Sequence, residues 1–120
     1  MPQLSVEYSA NLAGVFDART FARRLHDIVV ETVDTPLGNC KTRLVRLDEA
    51  LIGDGAPDRA MVHVDLRILS GRTDEQKKRL GQRALALLEA AVAPSQALKA
   101  QLTVEVRELD RGNYHKGARG

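Results

Sequence analysis

Apolar and polar residues alternate from the third position onward, with Leu4, Val6 and Tyr8 set between Gln3, Ser5, Glu7 and Ser9. A period of two marks a strand with one buried face, so a strand is predicted almost at the first residue. Asp17 then suits a helix N-cap. Behind it Phe21, Leu25, Ile28, Val29 and Thr32 share one helical face, and Arg23, Arg24, Asp27 and Glu31 lie largely away from it. Pro36 and Gly38 close that element, and a second strand is predicted from Cys40 to Leu47. Asp48 to Ala60 carries Gly53, Gly55 and Pro57 and reads as a loop. A third strand runs from Met61 to Leu69, with Val62, Val64, Leu66 and Ile68 pointing one way and His63, Asp65 and Arg67 the other. Ser70-Gly71-Arg72 is a turn. Thr73 and Gln76 have capping-box spacing and open a helix to about Val92, with Leu80, Ala84, Leu87, Leu88 and Ala91 on its apolar face. Pro94 stops it. A short turn or helix near Ser95 to Lys99 leads to a fourth strand, Gln101 to Glu108, and the polar tail from Asp110 onward is expected to be mobile unless something holds it.

The order is β-α-β, loop, β-α-β, an α/β (α+β) pattern in one domain spanning residues 1–120. Residues 2–47 and 61–108 look like two versions of one unit, followed by a tail, 109–120. A strand–helix–strand crossover favours parallel pairing within each half, so the expectation is a four-stranded sheet with two helices on one face. The other face mixes acids and bases, from Gln3, Ser5 and Glu7 through His63, Asp65 and Arg67 to Thr103, Glu105 and Arg107. Such a face serves equally as solvent surface or as a polar subunit interface.

Composition narrows the functional classes. Only 3% of the 120 residues are aromatic and Trp is absent, so the core must be aliphatic. The formal net charge of +2, with both signs interspersed, gives no basic face for a nucleic acid and no patch for a membrane. The single cysteine, Cys40, excludes an internal disulfide and suits a reducing compartment. The first residues lack a charged region followed by an apolar one, and no later stretch is apolar enough to cross a bilayer; the expectation is a cytoplasmic protein.

The candidate chemistry starts at Pro2. Methionine aminopeptidases remove Met1 when a small residue follows, which would leave a secondary amine at the start of a strand. An α-amino group titrates near pH ~7.7–8.0, and burial or neighbouring cations lower that value until the amine is neutral and basic at pH 7. With Met1 attached, the Pro2 nitrogen is an amide and has no basic lone pair. Lys41 and Arg43 share a face of the second strand, Arg46 follows on it, and Arg72 sits in the turn before the second helix. Such cations bind carboxylates and stabilise a developing dienolate, although a lone surface cation is more often solvated. His26 is expected to be exposed on its helix, His63 to be a hydrogen-bonded residue of the polar face, and His115 to follow the tail. No metal-ligand spacing is present. Cys40 beside Lys41 reads as an inert, partly buried thiol rather than a nucleophile.

The opening Met1-Pro2-Gln3-Leu4-Ser5-Val6-Glu7-Tyr8-Ser9-Ala10-Asn11 resembles the start of the 5-carboxymethyl-2-hydroxymuconate isomerase family of the tautomerase superfamily. Lys41-Thr42-Arg43, Val62-His63, Ser70-Gly71-Arg72-Thr73, Glu108-Leu109 and Asn113-Tyr114-His115-Lys116 extend the likeness over most of the chain. The resemblance implies the tautomerase β-α-β repeat assembled as a homotrimer, and Pro2 as general base. Arg43 and Arg72 would hold a small acidic substrate with Lys41 nearby. The implied reaction is a cofactor-free double-bond migration in homoprotocatechuate degradation. Lys41 stands where the family pattern has an arginine, which keeps the charge and loses the two-pronged grip. Two alternatives stay open: a broad tautomerase of other acidic enols, and a ferredoxin-like ligand-binding module, which predicts antiparallel neighbours in the sheet.

Overall fold

The computed structural model describes residues 1–120. Strand β1 is Gln3–Ser9, helix α1 Ala18–Val33, strand β2 Lys41–Leu47, strand β3 Arg59–Leu69, helix α2 Asp74–Ala91 and strand β4 Lys99–Leu109. Single 3-10 turns lie at Ala10–Leu12, Leu37–Asn39 and Arg111–Asn113. The last two strands start earlier than alternation alone indicated, because Lys99 N donates to Asp58 O at 2.8 Å and extends their ladder backward. The segment after Pro94 bends without forming a helix.

Both helix starts follow from their caps. Asp17 accepts from Thr20 N at 3.1 Å. Thr73 and Gln76 cap each other reciprocally, with Asp74 and Glu75 in the first turn where the helix dipole favours negative charge. Helix α1 ends in a left-handed residue, Asp34 at φ 52°, before Pro36.

The strands are ordered β2-β1-β3-β4. β1 runs parallel to β2, β3 runs parallel to β4, and the two central strands are antiparallel. The repeated β-α-β unit is therefore present, and the two parallel pairs overturn the ferredoxin-like alternative. Leu4 and Val6 of β1 and Val62, Val64, Leu66 and Ile68 of β3 are buried beneath Phe21, Leu25 and Val29 of α1 and Leu80, Ala84 and Leu88 of α2. The core is aliphatic apart from Phe16 and Phe21. Truncating a fully enclosed leucine such as Leu25 or Leu66 to alanine costs about 2–5 kcal/mol.

One consequence of this topology positions the site. Parallel pairing sets Gln3 beside Lys41, and antiparallel pairing sets Gln3 beside Arg67. The beginnings of β1 and β2 thus lie at the same end of the sheet as the finishes of β3 and β4. Pro2, Lys41, the Ser70–Thr73 turn and the tail, remote from one another along the chain, meet there.

Candidate active site

Pro2 is buried, and its carbonyl accepts from Lys41 N at 3.3 Å, which pins the chain start to β2. Met1 precedes it, so the free amine in the structure belongs to Met1. That ammonium is lowered from its ordinary 8.0, first by burial and then by the positive charges of Arg72, Lys41, Lys116 and Arg111. Both causes disfavour the charged form.

Arg72 is half-buried in the turn that follows β3, and its Nε is enclosed with no hydrogen-bond acceptor. A buried, unsatisfied donor on a charged group is costly, and an anion placed there would relieve it. The turn itself is held from the tail. Arg111 Nε and Nη2 donate to Ser70 O at 3.2 and 3.0 Å, and Arg111 N donates to Ser70 Oγ at 3.2 Å. Gly71 between them has φ 109°, a conformation that side-chain-bearing residues rarely adopt.

Lys41 lines a cavity of about 610 Å³ together with Met1, Gln3, Tyr114, His115 and Lys116. Its Nζ donates to Asn39 O at 3.0 Å and has no acidic partner. Arg43, two residues on, does not enter this cavity. It lines an adjoining one of about 320 Å³ with Gln3, Ser5 and Arg67, on the polar face of the sheet. Gln3 borders both, and its Oε1 is buried without a partner. The structure thus gathers Pro2, Lys41 and Arg72 around the chain start, and sets Arg43 one step along the sheet.

The tail completes the arrangement. Asp110 accepts from Gly112 N at 3.1 Å and so turns the chain, and Gln3 Nε2 donates to Tyr114 Oη at 2.8 Å. Lys116 Nζ then lies 3.6 Å from Met1 Sδ. Neither Arg111 nor Lys116 stands out in the alternation pattern, because both lie beyond the last strand. The available signal was Tyr114, one of only two tyrosines, set in a polar tail where an aromatic residue serves as an anchor.

The remaining sequence candidates fall elsewhere. His26 is half-buried rather than exposed: its Nε2 shares a 2.6 Å hydrogen bond with Thr42 Oγ1, and burial lowers its pKa from 6.5. His63 belongs to the polar face, with Nδ1 2.6 Å from Thr103 Oγ1 and Nε2 3.6 Å from Glu105. Burial raises the Cys40 thiol and outweighs the opposing charge of Lys41, as expected of an inert cysteine. His115 borders the cavity beside the amino terminus. No helix is long and apolar enough to cross a membrane.

Residues 2–118 match the sequence model of the 5-carboxymethyl-2-hydroxymuconate isomerase family. The chain is 30% identical over 112 residues to a 5-carboxymethyl-2-hydroxymuconate Delta-isomerase of Escherichia coli, covering 91% of this chain and 87% of that protein. A crystal structure of a 5-carboxymethyl-2-hydroxymuconate isomerase from Deinococcus radiodurans R1 superposes with a TM-score of 0.88 at 29% identity, over 98% of this chain and 90% of the other. A structure described as a fused 4-OT wild-type symmetric trimer shares the fold, with a TM-score of 0.73 at 22% identity over 93% and 89% of the two chains.

Proposed function

The chain belongs to the 5-carboxymethyl-2-hydroxymuconate isomerase family and is an isomerase of tautomerase type, and we propose that it moves a proton and a double bond in 5-carboxymethyl-2-hydroxymuconate with the amine of Pro2 as general base. The observation that carries this reading is the set of cations without acidic partners around the amino terminus, where they lower the ammonium's proton affinity.

Removal of Met1 moves the free amine back by one residue, about 3.8 Å along the chain, onto the buried Pro2. The Lys41 and Arg72 charges that act on the Met1 ammonium stay near the new amine and favour its neutral form. The neutral secondary amine takes a proton from the substrate enol or its activated carbon. Arg72 and Arg43 hold the carboxylates and spread the dienolate charge, with Lys41 beside them. The protonated amine then returns its proton at another carbon. The substrate is isomerised with no net gain or loss of atoms, and the scheme calls for no cofactor. Positioned proton transfer of this kind is typically worth about 10²–10⁴-fold in rate.

The same reading makes the protein a homotrimer of the homoprotocatechuate pathway, working in the cytoplasm where its lone thiol stays reduced. The mixed-charge sheet face and the exposed Leu44 and Val45 of β2 support self-association, as does the fold shared with a symmetric trimer. Light scattering should give the mass of three chains.

The decisive experiment is an isomerisation assay on 5-carboxymethyl-2-hydroxymuconate with protein whose amino-terminal mass has been measured. Protein beginning at Pro2 turns the substrate over. Full activity of protein that retains Met1 would refute the base assignment.

A further inference from the structure

The carboxyl-terminal tail is fixed to the body of the protein at points on either side of the chain start. Arg111 clamps the Ser70 carbonyl through two guanidinium donors, and Tyr114 accepts from Gln3. Leu109 O also accepts from Ser70 N at 2.9 Å, which joins the end of β4 to the turn carrying Arg72. Lys116 comes two residues after the Tyr114 anchor, and it is the tail residue whose side chain approaches Met1, at 3.6 Å. It borders the same cavity as Lys41, and its charge is among those felt by the terminal amine. It makes no ion pair, whereas Lys77 and Lys99 are paired to carboxylates.

A polyanionic guest of this cavity meets cations from two segments remote in sequence. Lys41 comes from β2 and Lys116 from the tail, and Met1 lines the same cavity. Loss of Met1 removes the thioether beside Lys116 and leaves its ammonium facing the vacated space. We propose that Lys116 is a specificity-determining residue that takes one carboxylate of a polycarboxylate substrate, so that the tail distinguishes polyanionic from monoanionic enols. This rests on the isomerase reading above and adds a substrate contact to it.

The test uses full-length protein beginning at Pro2, as Lys116→Met and Lys116→Arg. Methionine keeps the length of the side chain and removes its charge, and the exposed position leaves folding undisturbed. Turnover is measured on 5-carboxymethyl-2-hydroxymuconate and on phenylenolpyruvate, a monocarboxylate enol. Binding of adipate and of hexanoate, unreactive acids with two carboxylates and one, is measured by calorimetry. Lys116→Met should lose about tenfold or more in kcat/KM for 5-carboxymethyl-2-hydroxymuconate, mainly through KM, as expected for a hydrogen bond to a charged group. It should lose less than about threefold on phenylenolpyruvate, and Lys116→Arg should recover most of the loss. Equal losses on both substrates, or none on 5-carboxymethyl-2-hydroxymuconate, overturn the proposal. The binding arm separates this proposal from the catalytic one. Wild-type protein that isomerises neither enol, yet binds adipate in a Lys116-dependent manner, overturns the Pro2 mechanism and leaves the carboxylate contact standing. Adipate binding that is indifferent to Lys116 overturns the contact whatever the turnover.

Discussion

At the end of the sheet where β1 and β2 begin, Lys41, Arg72, Arg111 and Lys116 surround the amino terminus without an acidic partner among them. At the opposite end, where β3 and β4 begin, the cations are matched. Arg59 lies 3.6 Å from Asp54 and 3.9 Å from Asp58, Lys99 lies 3.7 Å from Asp58, and Arg46 lies 3.8 Å from Asp48. The two ends correspond, because the halves repeat one β-α-β order and run antiparallel to each other. They differ in what the adjoining irregular segments supply. The 48–58 loop brings three aspartates to one end, and the tail brings Arg111 and Lys116 to the other. Paired charges cancel locally and contribute little at an exposed surface. Unpaired charges of one sign keep their field, which draws in anions and disfavours a protonated amine. The same scaffold thus has a neutralised end and a cationic end, the candidate reactive end, and the difference lies in its connections rather than in its strands.

The largest expected effect comes from capping the reactive end at its nitrogen. Protein that retains Met1, or is acetylated at Pro2, should lose about 10²–10⁴-fold in kcat. Its circular dichroism and melting temperature should match those of the active form. Next is Arg72→Ala, which should lower kcat/KM on a dicarboxylate enol by about 10- to 100-fold, on the scale of a lost charged hydrogen bond. Its melting temperature should hold or rise slightly, since the enclosed Nε has no partner to lose. A collapse in melting temperature would make Arg72 a structural residue.

A smaller change would make the reactive end resemble its counterpart. Asn39→Asp adds a carboxylate at a residue that borders the same cavity as Lys41 and whose backbone carbonyl accepts from Lys41 Nζ at 3.0 Å. In the parent enzyme kcat/KM should rise with pH as the Pro2 amine loses its proton, with a midpoint set by the neighbouring Lys41 and Arg72 charges that also act on the Met1 ammonium. A nearby anion favours the ammonium, so Asn39→Asp should move that midpoint upward and raise KM several-fold. A pH–rate profile measures both. The smallest effect belongs to the neutralised end. Arg59→Ala should leave turnover unchanged and cost about 1 kcal/mol or less in urea unfolding, because its partners Asp54 and Asp58 are exposed to solvent. A loss of activity there would break the distinction between the two ends.

The elements were legible because their signals are local. Alternation in β1 and β3, the Asp17 cap and the Thr73–Gln76 box each depend on residues within a few positions, and each appears where the pattern put it. Pro2, Lys41 and Arg72 were legible as candidates, since a chain start, a strand face and a turn beside a cap are also local features. The helix pattern misjudged His26 because its polar character says nothing of Thr42, 16 residues away, which shelters it.

What the sequence determined by itself was the set of strands and helices, which side of each is apolar, and the residue types able to move a proton or hold a carboxylate. Periodicity encodes these because burial repeats with the geometry of the element. The tertiary structure alone decided that β1 and β3 run antiparallel, so that the starts of one pair and the finishes of the other share an end. That choice set Arg43 in a neighbouring cavity and brought Lys116 to the amino terminus, 115 residues away. Strand partnership is fixed by packing between distant segments, and no periodicity within a segment carries it.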